Sequence, residues 1–573
     1  MSASSPRMTA WLFLSFSLFC APLVANAAPA PLPTQGDQDL IRDRQNRLLE
    51  EQQRRLEDLK NLPGKVAPEA APTKPVDTRC FTIQHIELKG ADHLSATERE
   101  RLVAPYLGRC LGLAQLNEVL KAVTDHYLDR GLVTSRAYLP PQDLGSGTLL
   151  IQVVEGRLES LKGADGSGLS ERELAMTFPG RTGEVLNLRE VEQLVDQLNR
   201  LPSNQARMEL RPGQAVGGSD VLVTNTPQKP WRASLGRSND GQRSTGEQQW
   251  NTGLEWDSPL GLADELVLRG GHDAVSDSNH SSRNGLLNYN LPWGWWNFNY
   301  SYSQSGYRAQ ATPQDGGGSF SQRGDSATHQ LRAERVIYRD ALSKTSVNAG
   351  FARVATHNYN DGVRLIGASN TLSEFSYGIN HGRRIGNAFL NLDLGTQRGI
   401  GAFGAQGDHA SGATARYRKY TATMSYLQPF QWLGETFTFS SLATGQRTPD
   451  QLYSSQRISL GGESSVRGFK DQYLTGDNGG YWRNELRWSR PVDWAWLRPA
   501  VSEYGMAVAY DQGVISRTHG AYDQHGRVSS DSLELFARGR YLGASVTFAH
   551  SLERPDAIAD REAPIYFSLN LYL

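Results

Sequence analysis

KYTATMSYL, residues 419–427, decides how the rest of the chain is read. Successive side chains of an extended strand point to opposite faces. Tyr420, Ala422, Met424 and Tyr426 therefore share one face, and Thr421, Thr423 and Ser425 the other. The pattern returns in YWRNELRW, residues 481–488, where Trp482, Leu486 and Trp488 stand opposite Arg483, Glu485 and Arg487. In PIYFSLNLYL, at the end of the chain, Ile565, Phe567, Leu569, Leu571 and Leu573 alternate with Tyr566, Ser568, Asn570 and Tyr572. Strand after strand with one apolar and one polar or charged face suits a barrel with lipid outside and water inside. A soluble sandwich would direct fewer arginines to its interior.

Connections between these strands alternate as well. Short ones carry aromatic residues: DSPLGLAD after Trp256, LPWGWWN with Trp293, Trp295 and Trp296, IYRDALSK with Tyr338, QWLGE with Trp432, and VDWAWLRP with Trp494 and Trp496. Long polar ones are expected at 308–326, 358–370, 399–416, 448–480 and 512–530. Tight turns with an aromatic girdle on one side, and long loops on the other, describe an outer-membrane barrel. The pattern yields 15 or 16 strands. The soluble segment that precedes the barrel is expected to enter from the periplasm and the last strand to end there, so the number should be even and 16 is expected, with residues 528–538 as the faintest strand.

Composition agrees. The 573 residues exceed one ordinary core, and 59 basic against 60 acidic residues give no electrostatic reason to expect nucleic acid. After position 30 no apolar run approaches the roughly 20 residues of a transmembrane helix. Residues 1–27 read as an export signal: Arg7, an apolar stretch from Trp11 to Phe19, and the small-residue site Ala25-Asn26-Ala27. Cys20 follows the bulky Phe19, which speaks against lipidation. Cys80 and Cys110 remain. In an oxidising compartment they read as a disulfide contributing about 3–4 kcal/mol, with two free buried thiols as the other reading.

Between signal and barrel lie three regions. Residues 37–60 contain neither Gly nor Pro and predict a helix with a thin leucine stripe surrounded by charge of both signs. It is either a solvated, weakly coiled helix or one lodged in a polar cavity. Four prolines in 61–79 predict an extended linker. From residue 80 a strand-helix-helix-strand-strand order occurs twice, as FTIQHIELKG to GTLLIQVVEG and again as GRLESLKG to DVLVTNTP. Two tandem α/β modules are expected, each with a sheet edge to which a peptide strand can add.

Within the longest loop, Val466-Arg467-Gly468-Phe469 has the look of an anchored turn. In VSEYGMAVAYDQG, alternation sends Tyr504, Met506, Val508 and Tyr510 to lipid and Glu503, Gly505, Ala507, Ala509 and Asp511 inward. The small residues clear a path along the wall, and a loop tip folded into the lumen could set Arg467 on Asp511 as a charge-assisted pair.

The tandem modules resemble POTRA domains. Val466-Arg467-Gly468-Phe469 resembles the VRG[YF] loop motif, and Tyr510-Asp511-Gln512-Gly513 the [FY]DxG strand motif, of the two-partner secretion transporters, the TpsB (ShlB/FhaC/HecB) family. The likeness covers nearly the whole mature chain, apart from a final Leu573 where such barrels usually end in Phe. It implies a signal peptide at 1–27, a plug-helix region at 28–60, a linker at 61–79, POTRA domains at 80–156 and 157–229, and a 16-stranded transmembrane β-barrel at 230–573. It implies a loop-barrel lock formed by Arg467 and Asp511 with Val466, Gly468, Phe469 and Gly513, and a staple from Cys80 in the first strand to Cys110 at the end of the first helix. The function implied is export, through the outer membrane and without nucleotide hydrolysis, of a large partner exoprotein: an adhesin, a haemolysin or a contact-dependent inhibition toxin. Its other partners would be outer-membrane lipid and, during biogenesis, the barrel-assembly machinery, acting on a monomer. A barrel-assembly insertase and a passive porin with periplasmic binding modules are the rival readings. No GxxxxGK[ST], HExxH, GxSxG or Cys/His cluster is present, so neither an enzyme nor a cofactor is expected. Arg323-Gly324-Asp325, expected in a surface loop, is too short a motif to imply adhesion.

Overall fold

The structure, a computed structural model, describes residues 34–63, 79–275, 277–311, 318–406, 412–498, 500–516 and 524–573. The expected export signal, and residues 64–78 of the expected linker, lie outside the described residues.

Helix α1 spans Gln35–Lys60. Thr34 and Asp37 form a reciprocal capping box at its start, which satisfies two of the amide donors a helix leaves free. Its 26 residues extend about 39 Å, long enough to run through a barrel.

The first module comprises β1 (Cys80–Ile83), β2 (His85–Lys89), α2 (Ala96–Val103), β3 (Arg109–Gly112), α3 (Leu113–Asp129), β4 (Arg136–Tyr138) and β5 (Thr148–Val154). α3 buries Leu116, Val119, Val123 and Tyr127, a helical stripe, on the Leu149, Ile151 and Val153 face of β5. β5 is central, parallel to β2 and antiparallel to β4. The stretch expected as a single strand divides at Gln84, so that β1 pairs with β3 in a separate two-stranded sheet. Cys80 and Cys110 form a disulfide across that sheet, Cα atoms 5.3 Å apart. Cys110 thus lies on a strand, not at the end of the first helix: the Pro105 turn interrupts the helical run before it.

The second module repeats the order with β6 (Arg157–Gly163), α4 (Glu171–Thr177), α5 (Leu188–Asn199), β7 (Arg207–Pro212) and β8 (Gly218–Thr224), with β8 central. Val191, Leu194 and Leu198 of α5 pack on Leu158, Val221 and Val223.

Among the described residues, sixteen long antiparallel strands, from Trp231–Ser238 to Ile565–Tyr572, close into a barrel, with a two-residue pairing at Val363–Arg364 appended. Closure pairs the last strand with the first, Leu571 opposite Leu235. The faint strand is regular over Gly526–Arg538. Several loops are shorter than expected. Trp296–Ala311 and Phe320–Arg339 remain paired out to Ala311 and Phe320, and Arg323-Gly324-Asp325 is strand, not loop. A membrane-crossing strand needs only about 9–11 residues. The remainder stands above the bilayer, where neither face meets lipid and alternation disappears from the sequence.

Candidate functional site

The loop after Arg447 is a hairpin, Ile458–Leu460 paired with Leu474–Gly476, whose tip is folded into the lumen. Val466 and Phe469 are fully buried among Leu460, Leu474, Tyr481, Ile515 and Val528. Between them Gly468 lies flat on the wall: a Cβ there would fall 2.5 Å from Cβ of Ser530 and 2.8 Å from the His550 carbonyl. Gly513 is similarly close-packed, and a Cβ would fall 2.9 Å from the Leu460 methyls.

Arg467 meets Asp511 side-on. Nε donates to Oδ2 at 2.7 Å and Nη2 to Oδ1 at 2.8 Å, and the Arg467 amide also donates to Oδ2, at 3.2 Å. Nη1 reaches Glu485 Oε2 at 2.8 Å, and Glu485 in turn accepts from Arg487, which also bonds Glu534. The Tyr566 hydroxyl donates to the Arg467 carbonyl at 3.0 Å. The guanidinium, amide and carbonyl of Arg467 thus all have partners in this buried space, as burial demands. Glu485 was visible in the inward parity of residues 481–488, but its pairing with Arg467 was not. Glu562 had no signal at all: from a surface loop its carboxylate accepts the consecutive amides of Lys470, Asp471 and Gln472 at 2.7–3.0 Å.

The lumen beside this hairpin is occupied by α1, with cavities left between helix and wall, which takes up the polar-cavity reading of that helix. Arg55 pairs with Glu334 at 3.0 Å, Glu51 with Arg332 at 3.0 Å, and Arg54 with Glu265 at 3.3 Å. Gln52 bonds Asp393, Asn391 and Ser425 of the wall. Arg44 and Gln45 donate to the carbonyls of Ser455 and Ser459, so helix and hairpin touch directly. An apolar cluster forms at the C-terminal end, where Leu56, Leu59 and Leu62 meet Phe389 and a Cβ at Gly382 would fall 2.7 Å from Leu59, and Leu40 and Ile41 are buried nearer the start of the helix. Among the described residues no cluster of His, Cys, Asp and Glu could hold a metal.

A family model described as haemolysin secretion/activation protein ShlB/FhaC/HecB matches residues 217–537, more than half of the chain. The chain belongs to the ShlB/FhaC/HecB family. A ShlB-type POTRA model matches residues 81–156 and a second POTRA model residues 157–212. The chain is 36% identical to the outer membrane transporter CdiB of Escherichia coli strain 536 over 96% of this chain and 93% of that one. It is 29% identical to the hemolysin transporter protein HpmB of Proteus mirabilis over 77% of each. The solved structure of CdiB from Escherichia coli superposes with a TM-score of 0.88 at 35% identity, covering 95% of this chain and all of the other. The chain is therefore an outer-membrane transporter of the ShlB/FhaC/HecB family, its POTRA domains on the periplasmic side.

In this member of the ShlB/FhaC/HecB family the second POTRA domain is bolted to the periplasmic turns of the barrel, a junction sequence reading missed. Arg339, buried, pairs with Glu192 at 3.1 Å and with Asp196, both on α5. Arg200 pairs with Glu265 at 3.2 Å. Gln193 and Gln197 donate to the Gly294 carbonyl, and the Gly294 amide donates to Met176.

Proposed function

We propose that the protein exports one large partner exoprotein from periplasm to cell surface, and that α1 is a removable plug. The observation that carries this reading is the chemistry of the plug's contacts. A helix lodged in the pore by hydrogen bonds and ion pairs can exchange them for water, whereas an apolar seal would lose the hydrophobic stabilisation of its buried surface. The passenger would be an adhesin, a haemolysin or a contact-dependent inhibition toxin. Its N-terminal secretion domain would arrive unfolded and add as a strand to an outer edge of a POTRA sheet, such as β4 or β7, which are edge strands in their sheets. After α1 leaves, the chain would thread the lumen and fold outside, and that folding would drive transport without nucleotide hydrolysis or other catalysis.

Arg467 and Asp511, with Val466, Gly468, Phe469 and Gly513, would hold the hairpin against the wall so that the vacated lumen keeps its shape. The division into a plug region at 28–60, a linker at 61–79, POTRA domains at 80–156 and 157–229, and a barrel at 230–573 fits these roles. The transporter would work as a monomer in outer-membrane lipid, inserted by the barrel-assembly machinery. The test compares the proteins of culture medium and outer membrane with and without the gene. Loss of one very large protein from the medium, with other barrels intact, is expected; general loss of barrels would mean an insertase.

A further inference from the structure

One part of the outer wall carries an apolar groove. Phe298, Ala333, Ala349 and Tyr377 lie side by side on four neighbouring strands. One pair further from the periplasmic turns, Tyr300, Leu331, Phe351 and Phe375 form the next outward row. Two adjacent alanines among rings leave a groove of about 610 Å³, its lining almost wholly apolar. Its size is that of a small-ligand site, and it opens to the membrane.

The row on the periplasmic side of the groove is Trp296, Arg335, Val347 and Ile379. Arg335 is exposed on the lipid-facing side, its guanidinium 5.3 Å from the Trp296 ring centre. Arg383, four residues past Ile379 toward the rim, is exposed on the same face. Among the described residues neither arginine has a carboxylate partner. Asp340, in the adjoining turn, already accepts bonds from the Tyr338 hydroxyl and the amides of Leu342 and Ser343. This end of the barrel faces the periplasm, because the turn that holds Gly294 is bonded to the second POTRA domain. An unpaired arginine on the lipid face is tolerated at the interface, where it can meet headgroups, and basic side chains there attract anionic lipid.

We propose that this wall carries a binding site for one anionic phospholipid of the periplasmic leaflet, its phosphate on Arg335 and one acyl chain in the groove over Ala333 and Ala349. Arg383 adds positive charge along the rim. The site lies outside the lumen and is independent of which passenger is carried. A bound lipid would order this side of the barrel next to the strands whose turns hold the second POTRA domain.

The test is native mass spectrometry of the full-length protein in mild detergent, with phosphatidylglycerol or phosphatidylcholine of matched chains added. Folding of each variant is checked by heat-modifiable gel migration. The wild type should retain one phosphatidylglycerol, with about a fivefold preference over phosphatidylcholine, the ratio one basic residue near a membrane surface supplies. Ala349→Trp, which fills the groove, should abolish retention of both lipids; Arg335→Gln should remove the preference and leave weak binding of either. Equal retention of both lipids by the wild type, unchanged retention in Ala349→Trp, or an unchanged preference in Arg335→Gln would each overturn the site. Retention of lipopolysaccharide in place of phosphatidylglycerol would overturn the leaflet assignment and the proposal with it.

Discussion

The carboxylate of Asp511 receives three donors from one residue, Nε, Nη2 and the backbone amide of Arg467, at 2.7, 2.8 and 3.2 Å. The contact fixes both the side chain and the main chain of the turn, so it sets the position of the loop tip as well as neutralising charge. Asp511 is 1% exposed. Removing either partner leaves the other in a nearly dry space with only a secondary counter-charge, Glu485 for Arg467 or Arg483 at 3.9 Å for Asp511, at a cost of about 3 kcal/mol. Arg467→Ala and Asp511→Ala should each impair secretion severely, and the double variant should be little worse than either. Secretion assays on the three variants check this, and simply additive losses would show that the two residues act independently.

Gly468 is held by space. Ala in its place must displace Ser530 or the His550 backbone, at about 1–3 kcal/mol. The expected outcome for Gly468→Ala is a hairpin tip lifted from the wall, read as increased protease cleavage within residues 461–473 of the folded barrel, while Gly318→Ala, with open space around its Cβ position and no left-handed φ, leaves the tip in place.

In the first POTRA domain, Glu155 accepts the His93 amide at 2.8 Å, His93 Nδ1 at 2.7 Å and the Tyr127 hydroxyl at 2.8 Å. Burial acts to raise its carboxyl pKa, but these donors outweigh burial and hold it below the ordinary value. The stabilisation is therefore complete above the unfolded-state pKa near 4.3 and is lost as pH falls through the lower folded value. Amide protection in α3 of the full-length protein, taken relative to the intrinsic exchange rate at each pH, should fall on acidification below about pH 4. Glu155→Gln should be destabilised by about 1–3 kcal/mol at neutral pH and show a smaller acid response.

Arg339→Ala removes the buried cation shared by Glu192 and Asp196 at the POTRA–barrel junction, leaving Arg189 on Glu192 and Lys344 on Asp196. Roughly 3 kcal/mol of junction stability should disappear. Faster amide exchange in α5 is expected, with unchanged heat-modifiability of the barrel and reduced secretion; unchanged exchange would mean the remaining contacts, Arg200–Glu265 among them, suffice.

Much of this was legible in the sequence, for identifiable reasons. Alternation is strongest where one face meets lipid, and Tyr504, Met506, Val508 and Tyr510 are exposed as expected while Gly505, Ala507 and Asp511 are buried. Where strands rise beyond the bilayer, as at Arg323, both faces are polar and the signal fails. The break between β1 and β2 at Gln84 was hidden because both halves have strand composition, and only the partner strand β3 separates them. Pairing across long separations was the least legible. Parity could bring Arg467 toward the strand of Asp511, but nothing local to Glu562, Tyr566 or Arg339 announces the partner that each meets in space.

The most direct measurement is single-channel conductance of the purified protein in planar bilayers, with and without residues 35–60. The intact protein should be closed most of the time and open rarely. The shortened one should show large, frequent openings, because the Arg55–Glu334, Glu51–Arg332 and Gln52 contacts that fill the lumen are gone. Equal conductance before and after deletion would contradict a plug that must leave for transport.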